Sequence, residues 1–253
     1  MDARSASREL DVIQSSFPGN NATELKGLFK IGDNGVDFSA INEKDFGHAI
    51  KGLSDDEQAL AYGYYSLINS TTRNTVEVVT PTERYSRQAA TTIFHIPNTW
   101  TRDILPTATG KDVDYVGGGG LNWSVFGQNH DLIGRFSIFV INSGQTTGDY
   151  QTSAIAGSAL HLISSGGETS AHEVIGHGLG RLSSSPTWSH EDAIQLSNLY
   201  RRINVSVPSN IDWRNGTDHS SNIAIPYDKA NGIPDYIRQG LFNFKLGQAL
   251  LGN

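Results

Sequence analysis

The stretch SGGETSAHEVIGHGLGRL, residues 165–182, decides how the chain is read. It holds His172, Glu173 and His177, residue types that can bind a metal ion, with the histidines five positions apart. An α-helix turns about 100° per residue, so residues four apart share a face and residues five apart diverge by about 140°. In a regular helix the two imidazoles therefore point to different sides. A π-bulge absorbs one extra residue and returns them to a common face. Gly176 is the place where the backbone is expected to yield. Three glycines at 176, 178 and 180 weaken a merely structural helix by about 1 kcal/mol each relative to alanine. They suit a helix that bulges and then stops close to another backbone.

The rest of the chain limits the ligand set. There is no cysteine among the 253 residues, so disulfides and thiolate ligands are excluded together. Any metal must be held by His, Asp and Glu. Two imidazoles and one carboxylate, with a fourth position for water, satisfy zinc. Glu173, beside the first histidine, is then the expected general base. The third ligand is expected from the next helix, HEDAIQLSNLYRRI, whose first turn carries His190, Glu191 and Asp192. Glu191 is the expected ligand and His190 its competitor. Asp192 and Asn198 are expected to support the site by hydrogen-bonding a ligand imidazole. Oxyanion donors are sought after Glu191, among Tyr200, His219 and Tyr227, with His219 preferred for its place in a polar loop. Because imidazole ligands must be neutral, affinity for zinc is expected to weaken below about pH 6.

Blander readings exist for each feature. Glu173 and His177 also stand four apart, as an ordinary helical pair does. Glu168 and His172 share that spacing and form an alternative metal pair. His48, His95 and His130 are isolated, and His161 lies in an apolar segment; none is read as a ligand. HEDAIQLSNLYRR also reads as an amphipathic helix with acidic first and basic last turns, which the helix dipole favours.

Around this centre the pattern is mixed. Residues 4–70 read as mostly helical, with Ser54 and Glu57 forming a capping box and NEKDFGHAIKG a weaker helix. NTVEVVT, ATTIFHI and RFSIFVIN are rich in β-branched and aromatic residues and read as strands. The glycine run Gly117–Gly120 lacks the spacing of a phosphate or dinucleotide loop and reads as a turn or lid. Ser165 and Glu168 suggest a second capping box opening the helix over 168–181. Ser189 precedes the helix that follows. Residues 213–232 read as loop, and IPDYIRQGLFNFKLGQALL as a closing helix. RFSIFVIN or SAIAGSALHLI is expected to offer a sheet edge to an extended peptide.

HEVIGHGLGRL resembles the His-Glu-x-x-x-His helix of the dipeptidyl-peptidase III family, zinc exopeptidases with the same extra residue. The resemblance implies His172 and His177 as zinc ligands, Glu173 as base and a later glutamate as third ligand. The second half, with ETSAHEVIGHGLGR, HEDAIQLSNLYRR and WRNGTDH, is similar to metallopeptidase toxin domains of bacterial polymorphic toxins and injected effectors. That likeness implies an α+β, zincin-like (gluzincin-like) catalytic domain over 73–253. It comprises a small mixed sheet and an active-site helix, and a helical region, 1–72, precedes it.

The implied activity is zinc-dependent hydrolysis of a protein or peptide substrate by a secreted or delivered toxin. An immunity protein or a delivery carrier is the expected partner. A formal charge of -7 and the lack of a basic run argue against nucleic-acid binding, and no apolar run is long enough for a membrane span. The first residues lack the apolar core of a signal peptide, so a route without one is expected. The rivals are a metal-dependent hydrolase or nuclease acting on a non-peptide bond, and a non-catalytic interaction module.

Overall fold

In the computed structural model, the described residues are 3–32, 35–37, 42–70, 73–79, 120–126, 132–140, 152–153, 161–162, 166–180, 190–204 and 226–250. They form an α+β fold in which helices dominate. Four helices come first: α1 (Ala3–Ser15), α2 (Thr23–Leu28), α3 (Glu43–Ile50) and α4 (Asp55–Ile68). A short antiparallel hairpin, β1 (Lys30–Gly32) and β2 (Gly35–Asp37), separates α2 from α3 and interrupts the expected helical run.

The starts of α3 and α4 follow from their first residues. Asn42 Oδ1 accepts from Asp45 N at 2.9 Å. Ser54 and Glu57 close the expected capping box in both directions, with Glu57 Oε2 accepting from Ser54 N at 2.9 Å. Each satisfies amide groups that the first helical turn leaves without partners.

The main sheet has three strands, β3 (Arg73–Val79), β4 (Gly120–Phe126) and β5 (Leu132–Val140), in the order β3-β5-β4. β3 runs parallel to β5, with Val76 opposite Ser137, and β4 runs antiparallel, with Asn122 opposite Ser137. Asn122 Nδ2 donates to Ser137 Oγ at 2.6 Å, so this buried polar row is hydrogen-bonded across strands.

Two sequence expectations change here. LNWSVF was folded into a glycine-rich turn, yet the strand begins at Gly120 itself; Gly117–Gly119 and ATTIFHI lie outside the described residues. RFSIFV, residues 135–140, lies in the central strand, paired on both sides, so its backbone cannot accept a further peptide strand. Two short pairing segments, β6 (Thr152–Ser153) and β7 (His161–Leu162), precede the site helix.

That helix has three joined pieces: α5 (Gly166–Ser170), a π-helical segment (Ala171–His177) and α6 (Gly178–Gly180). Then come α7 (His190–Asn204), α8 (Tyr227–Ala230) and α9 (Asp235–Leu250). α8 is one helical turn inside the segment expected to be loop. Residues 213–225, His219 among them, lie outside the described set.

One apolar core runs through these elements. Val12, Leu25, Leu60 and Tyr64 from the N-terminal helices join Val78, Ile175, Leu196 and Ile237 in a single buried cluster. Core residues thus come from both sides of position 72. The π segment is at the centre, packed by α4, α7, β4 and β5.

Candidate metal centre

Residues 171–177 adopt the π conformation that the His172/His177 spacing requires. Closing backbone bonds at i→i+5 brings residues five apart round to nearly one full turn. The rings of His172 and His177 accordingly lie with centroids 5.1 Å apart, edge to face. Glu173 joins them: its Oε2 stands 4.0 Å from His177 Nε2. The potential ligand atoms of the three residues all lie within 4.8 Å of one another. Two atoms each about 2.1 Å from one zinc ion can be no more than about 4.2 Å apart, so this set is near the spacing of a metal site. His172 and Glu173 are buried, and His177 is partly open to solvent.

The site helix is held by α7 through contacts that repeat every four residues on both helices. Arg201 donates to Glu168 through Nε and Nη2, each at 2.9 Å. His172 Nδ1 lies 2.9 Å from Ser197 Oγ. A Cβ at Gly176 would stand 2.6 Å from Ala193 Cα, so the backbones meet there with no room for a side chain. The pairs 168·201, 172·197 and 176·193 step in opposite directions along the chain, so the two helices are antiparallel. Each rung uses the i±4 row, the ridge that most often meets another in helix packing. Gly176 therefore serves close approach, as the glycine pattern suggested. α4 braces the other side, where Tyr64 and Ser170 hydroxyls lie 3.0 Å apart.

The rungs also revise earlier expectations. Glu168 accepts from Arg201 at both oxygens and does not join the cluster of potential ligands, while Ser165, its expected capping partner, lies outside the described residues. Arg201, read as a dipole-favoured surface residue, is buried. Its neighbour Arg202 chelates Asp56 of α4 at 2.7 and 3.0 Å and donates to the Asn231 carbonyl oxygen at 2.8 Å. Asn198 turns its amide to the Ala230 carbonyl oxygen at 2.8 Å, while Ser197, which the sequence reading passed over, meets the imidazole. An (i, i+4) count from Ala193, opposite Gly176, leads to it.

Other candidates are placed as follows. Glu191 opens α7 but does not join the cluster of His172, Glu173 and His177. His190 begins the same helix. Tyr200 is fully buried with its hydroxyl against the backbone of Gly167, where a Cβ would collide with it. Tyr227 is 63% exposed at the start of α8.

Asp192 is half-buried, and its carboxyl is pushed up to about 6, first by desolvation, then by the charges of Glu191 and Asp235. A carboxyl whose folded-state pKa lies above its ordinary value of 3.8 opposes folding once ionised. The zinc-free protein should therefore lose stability as pH rises from about 4 through about 6. Asp192→Asn should flatten that slope and be the more stable form at pH 7. Urea unfolding at a series of pH values checks this; equal slopes in both proteins would contradict it.

Among the described residues no helix is long and apolar enough to cross a membrane. Compared with protein-family profiles, curated proteins and solved structures, the chain matches none, so the reading of this centre rests on its own geometry.

Proposed function

We propose that the chain is a zinc-dependent, zincin-like peptidase in which His172 and His177 hold the metal and Glu173 is the general base. The observation that supports this is the π segment, which sets both imidazoles and one carboxylate together on a buried face. A π-helical segment gives up regular hydrogen bonding, and such segments favour functional sites. Zinc bound there would acidify a water molecule and polarise a carbonyl group. Glu173, buried and adjacent, takes the proton from water and returns it to the leaving amine. Glu191, in the first turn of α7, is the proposed third protein ligand. His219 remains the proposed oxyanion donor.

Among the described strands β4 is an edge, and it packs on the π segment. An extended peptide adding to β4 would lie beside the metal, in place of the RFSIFVIN edge first expected; most of SAIAGSALHLI lies outside the described residues. Delivery as a bacterial toxin or effector, with an immunity partner, belongs to this reading through the resemblance of the second half to such domains.

A second reading keeps the metal but changes one role. Glu173 lies within the ligand cluster and Glu191 outside it, which favours Glu173 as the carboxylate ligand of a two-His-one-carboxylate site.

The test of function is a cleavage screen. A proteome incubated with the zinc-loaded chain should yield new peptide termini that are missing with Glu173→Gln. Identical termini with both proteins, or none with either, would overturn the peptidase proposal.

A further inference from the structure

We infer that Ser197 is a positioning residue that fixes the tautomer of His172, so that Nε2 carries the lone pair offered to the metal. The inference rests on the metal reading above. Ser197 is fully buried in the middle of α7, and its Oγ lies 2.9 Å from His172 Nδ1. Its place is fixed from both sides along the helix. Four residues before it, Ala193 meets the backbone of Gly176; four residues after it, Arg201 grips Glu168 with two hydrogen bonds. Ser197 therefore cannot drift from the ring without breaking a backbone contact or a buried ion pair.

A neutral imidazole has one N–H and one lone pair, and a partner on one nitrogen decides which atom has which. A serine hydroxyl in a helix interior can give its own proton to the carbonyl four residues back, which leaves its oxygen to accept. With Nδ1–H donating to Ser197 Oγ, Nε2 becomes the ligand atom. A carboxylate would fix the same tautomer and make the ring more basic. It would also bury another negative charge against a helix that already buries Glu168 and Glu173. A hydroxyl gives the orientation without the charge.

Two measurements test this. In the zinc-free wild type at pH 8, long-range proton–nitrogen correlation spectra should show His172 with its proton on Nδ1. Ser197→Ala should lose that preference and bind zinc alone, in competition with a chelating dye, about 10- to 100-fold more weakly. Ser197→Thr, which keeps the hydroxyl, should restore both. A wild-type ring protonated on Nε2, or wild-type zinc affinity in Ser197→Ala, would overturn the inference. A wild type that takes up no zinc would overturn the metal reading instead; the spectrum, recorded without zinc, keeps that failure separate from failure of the Ser197 contact.

Discussion

Glu173→Gln is expected to cut peptide cleavage by about 10²- to 10⁴-fold, the usual contribution of a general base, while zinc stays bound. Glutamine has the shape of glutamate and can keep a hydrogen bond, but it cannot accept a proton from water. The position is buried, so no bulk carboxylate can take over the task. Turnover and metal content must be measured on the same preparation, because the pair of results separates the roles. Lost turnover with zinc retained supports Glu173 as base. Lost turnover with lost zinc supports Glu173 as ligand. Full activity would dismiss both.

The second large effect is on stability. Arg201→Ala is expected to destabilise the chain by about 3–5 kcal/mol, because it leaves the Glu168 carboxylate buried without its partner. Glu168 is completely shielded and both of its oxygens are engaged by Arg201, so water cannot easily compensate. A domain is typically stable by about 5–15 kcal/mol, so this is a large fraction of the total. Replacing both residues with apolar ones of similar size should recover much of the loss. Urea unfolding of the zinc-free proteins measures it; a loss below about 1 kcal/mol for Arg201→Ala would show that the ion pair is not what holds the two helices together. The same pair sets the register that brings Ser197 under His172, so weaker zinc binding should accompany the lost stability.

Much of the candidate site was legible because its signals are local. The five-residue spacing of two histidines, with a glycine between them, implies a distorted helix, and the π segment lies over just those residues. Ser54 and Glu57 announce a helix start within four residues of sequence. What escaped depends on distant partners. Glu168 has the right spacing for a cap, and nothing in its neighbourhood reveals an arginine 33 positions away. Ser197 differs from Asn198 only in which face of α7 meets the site helix, and that face is set by the Gly176–Ala193 contact. The strand from Gly120 was hidden by the glycines at its start, since glycine is a poor strand former and LNWSVF has few β-branched residues. RFSIFV was recognisable as a strand, but its central place comes from a parallel partner earlier in the chain, 61 positions away at Val76 against Ser137. Pairing across that distance leaves no periodic trace.

The central claim is that the π segment gathers the imidazoles of His172 and His177 onto one metal ion. Zinc content after exhaustive dialysis, measured on the wild type and on His172→Ala/His177→Ala, tests it most directly. The account predicts stoichiometric zinc in the first and none in the second. A wild type without zinc, or a double variant that retains it, would contradict the account.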